Sequence, residues 1–215
     1  MKFIYFLSLV VSLSFLSCNS GNDVTYAEIE TEFGTMKVEL YNSTPIHKEN
    51  FIKLAKEGFY DDLLFHRIIQ GFMVQGGDPN SRDAKPGQRL GSGGPGYTLE
   101  AEIGAPHFKG TLAAARQGDA MNPEKRSSGS QFYIIHGGLQ TDQNLSSAEN
   151  RKGIKYNEAQ VKRYKEQGGY PILDMDYTVF GEVTVGLDIV DKLAAVAKDQ
   201  SDRPLEDVKM KVTIL

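Results

Sequence analysis

Two runs of alternating polarity meet at Gly34. Within Thr25–Tyr41, YAEIETEF and TMKVELY put Met36, Val38 and Leu40 on one face and Lys37 and Glu39 on the other. A period of two on both flanks of a glycine predicts a β-hairpin with one buried face. The chain closes on the same pattern, since VKMKVTIL alternates from Val208 to Ile214. A final strand of this kind is expected to pair with the first strands and remove an open edge. Strand-like segments at 65–69, 72–76, 97–100, 111–115, 131–135 and 178–183 lie between, each bounded by Gly, Pro or Asp. The 22 glycines against 8 prolines suit short strands joined by tight turns.

Two helical patterns interrupt the strands. Thr44-Pro45 opens PIHKENFIKLAKEG, in which Phe51, Leu54 and Ala55 recur at helical spacing and Gly58 ends the run. Thr44 is expected as the N-cap and Pro45 as the first helical residue. In GLDIVDKLAAVA, residues Leu187, Val190, Leu193 and Ala194 share one face. Many short strands with two helices predict a mainly β, closed antiparallel barrel. From 137 to 170 the sequence turns polar, and NEAQVKRYKEQ predicts a short surface helix capped by Asn157, with Gln160 three residues on. This stretch is expected as a partly helical loop insertion, solvated because its apolar content is too low to fold alone. One domain over 25–215 follows from the length and from the absence of any composition shift. The formal charge of −4 comes from no single run, so nothing points to a nucleic-acid surface and no nucleic-acid partner is expected.

The N-terminus reads differently. Lys2 is followed by FIYFLSLVVSLSFLS over 3–17, without charge. That run falls short of the roughly 20 residues a membrane span needs, and a basic start before it predicts a removable signal peptide over 1–17. Cys18, the only cysteine, follows directly. Its placement resembles the lipobox of bacterial lipoproteins, so Cys18 is the expected lipidation site and 18–24 a polar tether. The expected location is the cell envelope, lipid-anchored to a membrane, with a soluble periplasmic protein as the alternative. A lone cysteine excludes a disulfide within the chain.

The densest information lies in FHRIIQGFMVQGGD at 65–78 and GSQFYII at 129–135. Both closely resemble the signature stretches of the cyclophilin family, and the likeness continues through GSGGPGYTLEAE at 91–102, GTLAAAR at 110–116 and LDMDYTVFGEV at 173–183. The blocks follow the family's order. The resemblance implies an eight-stranded barrel capped by two α-helices, with an outer groove for X-Pro peptides. It implies Arg67 as the catalytic residue and Phe72, Met73, Tyr133 and Leu173 as the proline pocket. His66, Gln75, Ala115, Arg116 and Gln131 would contact or support the peptide, Ala115 and Arg116 mainly through their backbone. Tyr133 stands where phenylalanine is common and Tyr177 where many members have histidine, so both are expected to tune substrate preference. The expected activity is peptidyl-prolyl cis/trans isomerisation in exported proteins, by a monomer whose only membrane link is the lipid. The alternatives are a module that binds proline segments, or a periplasmic chaperone with little turnover.

The chemistry fits the residue inventory. Rotating an X-Pro bond requires loss of amide resonance but no bond is broken, so neither metal nor cofactor is expected. A simple two-residue turn at Gln70-Gly71 would set Arg67 opposite Val74 and His66 opposite Gln75.

Overall fold

The two ends of the main β-sheet are formed by strands separated by only two residues of chain. In the computed structural model, which describes residues 24–215, β3 (Leu63–Leu64) and β4 (Arg67–Ile69) flank Phe65 and His66. The other strands of this sheet are β1 (Thr25–Thr31), β2 (Gly34–Leu40), β5 (Met73–Gly76), β7 (Thr111–Ala114), β9 (Phe132–Ile135), β10 (Val179–Val185) and β11 (Lys209–Ile214). Their order is β3-β11-β1-β2-β10-β7-β9-β5-β4. Strands at opposite ends of a sheet lie two residues apart in sequence only if the sheet curls back on itself, as the native twist allows. The expected closed, eight-stranded ladder is therefore corrected to an open, strongly curled sheet of nine strands. Its ends are joined by chain rather than by a ladder of hydrogen bonds. The segment expected as a signal peptide, Cys18 as its lipidation site and all but the last residue of the expected tether lie outside the described residues.

The terminal pairing is as the alternation predicts. β1 and β2 form the hairpin, with Ala27 opposite Val38 and Ile29 opposite Met36, and β11 lies on the far side of β1 with Val212 opposite Ile29. These residues bury completely or almost so, and enclose the main core together with Phe51, Phe132, Phe180 and Leu193. A short separate ladder joins β6 (Thr98–Leu99) to β8 (Ser127–Ser128).

Four α-helices are present among the described residues. α1 (Pro45–Lys56) buries Phe51, Leu54 and Ala55 as its spacing predicts, and Pro45 begins it. Thr44 holds the N-cap position as expected, but its side chain meets no helix amide, because its hydroxyl turns back to the Tyr41 carbonyl. The exposed amides of the first turn are met instead by Glu102, whose carboxylate accepts from Ile46 N–H at 3.1 Å and His47 N–H at 3.0 Å. It also holds His47 Nδ1 at 2.7 Å. A carboxylate suits that position because the helix N-terminus is its positive end. α4 (Leu187–Ala194) places Val190, Leu193 and Ala194 in the core.

The 137–170 stretch carries two helices. α3 (Glu158–Glu166) has the predicted capping box of Asn157 and Gln160. α2 (Asp142–Lys152) was not foreseen, because only Leu145 and Ala148 of its eleven residues bury. The stretch is solvated on its outer side, yet it docks on the curled sheet through a small core of Phe108, Leu145 and Tyr164.

Candidate active site

The site is set by the register of five adjacent strands. Arg67 on β4 pairs with Gln75 on β5, Gln75 with Tyr133 on β9, Tyr133 with Ala113 on β7, and Ala113 with Val179 on β10. Residues directly opposite in a ladder project from the same face, so these five form one transverse row. One step along, Ile69, Met73 and Ile135 line up on that face. The intervening residues Ile68, Val74, Ile134 and Leu112 point into the main core. The curled sheet thus has a second apolar cluster on its outside, built on Met73, Ala113, Tyr133, Ile135 and Val179.

The register corrects the two-residue turn. The loop between β4 and β5 holds Gln70, Gly71 and Phe72, and Phe72 N–H donates to the Ile69 carbonyl at 3.0 Å. Gly71 takes φ of 78° at the third turn position, where a left-handed backbone favours glycine. The extra residue moves the pairing by one, so Arg67 meets Gln75 and not Val74, with no bulge needed. Phe72 consequently leaves the strand. Its carbonyl accepts from His136 and Gly137 N–H at 3.0 and 3.1 Å, which fixes the turn over the outer cluster.

A chain of amides runs to Arg67 from the loop at 91–94. Asp78 is fully buried and accepts from Gly91 N–H at 2.5 Å and Gly93 N–H at 3.2 Å. A Cβ on Gly93 would lie 2.1 Å from the Asp78 carboxylate, so this approach requires glycine. The Gly93 carbonyl accepts from Gln131 Nε2 at 2.7 Å, and Gln131 Oε1 accepts from Gln75 Nε2 at 3.1 Å. Each amide is thereby oriented by the one before it. Gln75 is left with its oxygen facing Arg67, whose Nη1 donates to it at 3.5 Å.

Beside this row lies the candidate cup, an aromatic cluster whose Met73 and Tyr133 are themselves only 1% and 4% exposed. Phe72, Leu173 and Tyr177 pack on the outer cluster around Met73 and Tyr133. The rings of Tyr133 and Tyr177 meet edge to face at 5.9 Å, and the Arg116 guanidinium lies 4.6 Å from the Tyr177 ring centre. The Tyr133 hydroxyl reaches His107 Nε2 at 3.1 Å, and burial pushes its pKa well up, so it remains a hydroxyl. On the other side of Arg67's row opens a cavity of about 610 Å³, lined by Gln75, Gln131, Ala115, Arg116, Met121 and Asn122 among others.

The remaining residues expected at the site divide. His66 is turned inward beneath Gly91, 4% exposed with neither ring nitrogen hydrogen-bonded, and burial lowers its pKa to about 4. That position supports the loop and does not face the groove. Ala115 has its N–H donated to the Gln131 carbonyl and its own carbonyl engaged by Ser128 N–H, at 2.9 and 2.8 Å. Its backbone is largely committed to the protein. The Arg116 side chain is held by the Asp176 carbonyl at 2.7 Å and by Asp119.

A model of the cyclophilin type peptidyl-prolyl cis-trans isomerase/CLD family matches residues 26–214. The chain belongs to this family. A peptidyl-prolyl cis-trans isomerase of Synechococcus elongatus is 44% identical over 115 residues, which cover 53% of this chain and 70% of that protein. A putative peptidyl-prolyl cis-trans isomerase of Staphylococcus aureus is 34% identical over 181 residues, covering 84% and 86%. A cyclophilin type isomerase of Cryptosporidium parvum shares the fold, with a TM-score of 0.65 at 24% identity over 90% of this chain and 98% of that one. The protein is thus an enzyme, a cyclophilin that isomerises peptidyl-prolyl bonds.

Three parts of the cyclophilin's site escaped the sequence reading. Asp78 and Gly93 lie in the quoted motifs GGD and GSGG, but their contact depends on how two loops fold together. His107 and Asp174 are 67 residues apart and meet at 2.8 Å. Tyr170 packs against Phe72 with ring centres 4.4 Å apart and the rings tilted by 34°, and nothing in the polar run preceding it signals that contact.

Proposed function

We propose that Arg67 is the catalytic residue of this isomerase and that Phe72, Met73, Tyr133 and Leu173 hold the substrate proline. The observation that carries this reading is the transverse row, which sets Arg67, Gln75 and Tyr133 side by side on the outer face next to the aromatic cup. A planar X-Pro amide resists rotation by a barrier on the order of 18–20 kcal/mol. As the bond twists, the proline nitrogen becomes pyramidal and gains a lone pair. A guanidinium aimed at that nitrogen binds the twisted state better than the planar one, and it needs no proton transfer to do so.

One charge-assisted hydrogen bond contributes about 1.5–3 kcal/mol, on the order of tenfold to a hundredfold in rate. A millionfold acceleration needs about 8 kcal/mol. The balance comes from donors already oriented before the bond twists, while a cup that grips the ring in planar and twisted states alike contributes binding and not rate. The amide chain from Gly93 supplies the orientation, and the outer cluster supplies the grip. Arg116, whose peptide N–H and carbonyl make no hydrogen bond to described residues, offers a docking edge for the peptide backbone. The cavity on the far side of the row suits a side chain upstream of the proline.

The clients are proline-containing polypeptides outside the cytoplasm, met by a monomer tethered through lipid on Cys18. The basic start, the short apolar run and the lone cysteine support that placement. An isomerase assay on X-Pro peptides with Phe72→Ala and Leu173→Ala tests the cup. KM should rise in both variants, and unchanged KM in both contradicts the assignment.

A further inference from the structure

Behind the cup is a buried carboxylate that gathers four donors from three residues. Asp174, adjacent to Leu173, is 2% exposed. Its Oδ1 accepts from the His107 backbone N–H at 2.8 Å and faces His107 Nδ1 at 2.8 Å. Its Oδ2 accepts from the hydroxyls of Tyr156 and Tyr164, both at 2.6 Å. Those tyrosines belong to the 137–170 insertion. His107 itself is fully buried, and its other nitrogen meets Tyr133.

With a neutral imidazole, the hydrogens in this array have one consistent arrangement. A carboxylate only accepts, so His107 carries its proton on Nδ1, and Nε2 is left as an acceptor. The Tyr133 hydroxyl, kept protonated by burial, has no other partner among the described residues and donates to Nε2. Tyr133 is therefore held at its tip, while its ring contributes the wall of the cup.

We propose that His107 is a positioning residue for isomerisation: locked in one tautomer by Asp174, it fixes the Tyr133 ring against the substrate proline, and the insertion completes the lock through Tyr156 and Tyr164. This rests on the reading of Tyr133 as part of the proline cup. The insertion is then a brace for the cup, which accounts for a polar segment docking where its own apolar area is small. Because the cup grips proline in planar and twisted states alike, a loosened Tyr133 weakens binding more than turnover.

Two measurements on the full chain test this. Nitrogen-15 NMR of the imidazoles should show His107 as the neutral Nδ1–H tautomer, and an Nε2–H tautomer or a doubly protonated ring overturns the proposal. In peptide kinetics, His107→Leu should raise KM about fivefold, the scale of one lost hydrogen bond, with kcat changed less than twofold. In a Tyr133→Phe background the same change should add less than twofold. A merely structural role would lower apparent kcat through loss of folded enzyme and leave KM alone, and that result, or two effects that multiply fully, overturns it. If His107→Leu does not fold, Tyr133→Phe alone carries the test, since it deletes one hydroxyl and must also raise KM. Phe72→Ala separates the two levels. If it raises KM while the His107 and Tyr133 variants do not, only the positioning role falls; if it too leaves KM unmoved, the cup reading falls first.

Discussion

Arg67 and Gln75 face each other across the β4–β5 ladder, with the guanidinium Nη1 donating to the Gln75 amide oxygen at 3.5 Å. The contact is long, so what defines it is orientation: Gln75 presents oxygen and not nitrogen because Gln131 and the Gly93 carbonyl fix the amides behind it. Breaking that chain should release Arg67 without unfolding the sheet. Gln131→Leu is expected to lower kcat about fivefold to tenfold, the scale of one to two hydrogen bonds. Steady-state kinetics on an X-Pro peptide, with circular dichroism to confirm folding, measure it; wild-type kcat would show that the chain does not orient the arginine.

His66 makes the fold sensitive to mild acid. Its folded pKa is lowered to about 4, from about 6.5, because the ring is buried. Below pH 6.5 the unfolded chain takes up a proton that the folded one refuses, so stability falls as pH drops from about 6.5 toward 4 and changes no further below that. Between pH 7 and pH 5 this linkage is worth about 2 kcal/mol. Urea unfolding at the two pH values should show that loss in the wild type and a correspondingly smaller one in His66→Phe. Equal losses in both would place the titrating group elsewhere.

Glu102 should matter to α1 although 55 residues separate it from His47. Removing the carboxylate leaves two helix amides and the His47 ring without their acceptor, so Glu102→Ala is expected to cost about 1–2 kcal/mol, the scale of a lost N-cap. Thr44→Ala should cost less, since its hydroxyl reaches only the Tyr41 carbonyl. Chemical denaturation of both variants ranks them, and the reverse order contradicts the trans cap.

Attachment at Cys18 is checked by labelling. Radioactive fatty acid should enter the wild type in bacterial cells and be absent from Cys18→Ala. Equal labelling of the two, or none in either, removes the anchor from the account. A single acyl chain holds weakly, so stable attachment requires more than one on the same N-terminus.

How much of this was legible follows from where each signal resides. Alternation around Gly34 and from Val208 to Ile214 exposed the first hairpin and its terminal partner, because a half-buried strand writes its face into every second residue. The stretches around Arg67 and Tyr133 were readable as blocks. The Arg67–Gln75 register was not, since it turns on whether Phe72 belongs to strand or turn, and an aromatic residue suits both. Curling of the sheet into an open form hinges on the two-residue link at Phe65 and His66, where the sequence reads as one continuous strand with Arg67. The Asp174 array and the Glu102 cap were invisible because each joins residues far apart in sequence through side chains that suit solvent equally well. α2 lacked an apolar stripe long enough to mark it.

Arg67 is proposed to act in the twisted state. Lysine keeps the charge but loses the planar fork that can hold Gln75 and the substrate together, so Arg67→Lys should lose most activity and Arg67→Ala nearly all. Because the interaction belongs to the transition state, kcat and kcat/KM should fall together while ground-state peptide affinity changes little. Folding should be nearly untouched, as Arg67 lies on the outer face and not in the core. The deciding measurement is the isomerisation rate of an X-Pro peptide by Arg67→Ala, alongside its peptide affinity. A loss of about a hundredfold or more in kcat with affinity held within about threefold is the predicted result. Wild-type turnover by a folded Arg67→Ala protein would contradict it.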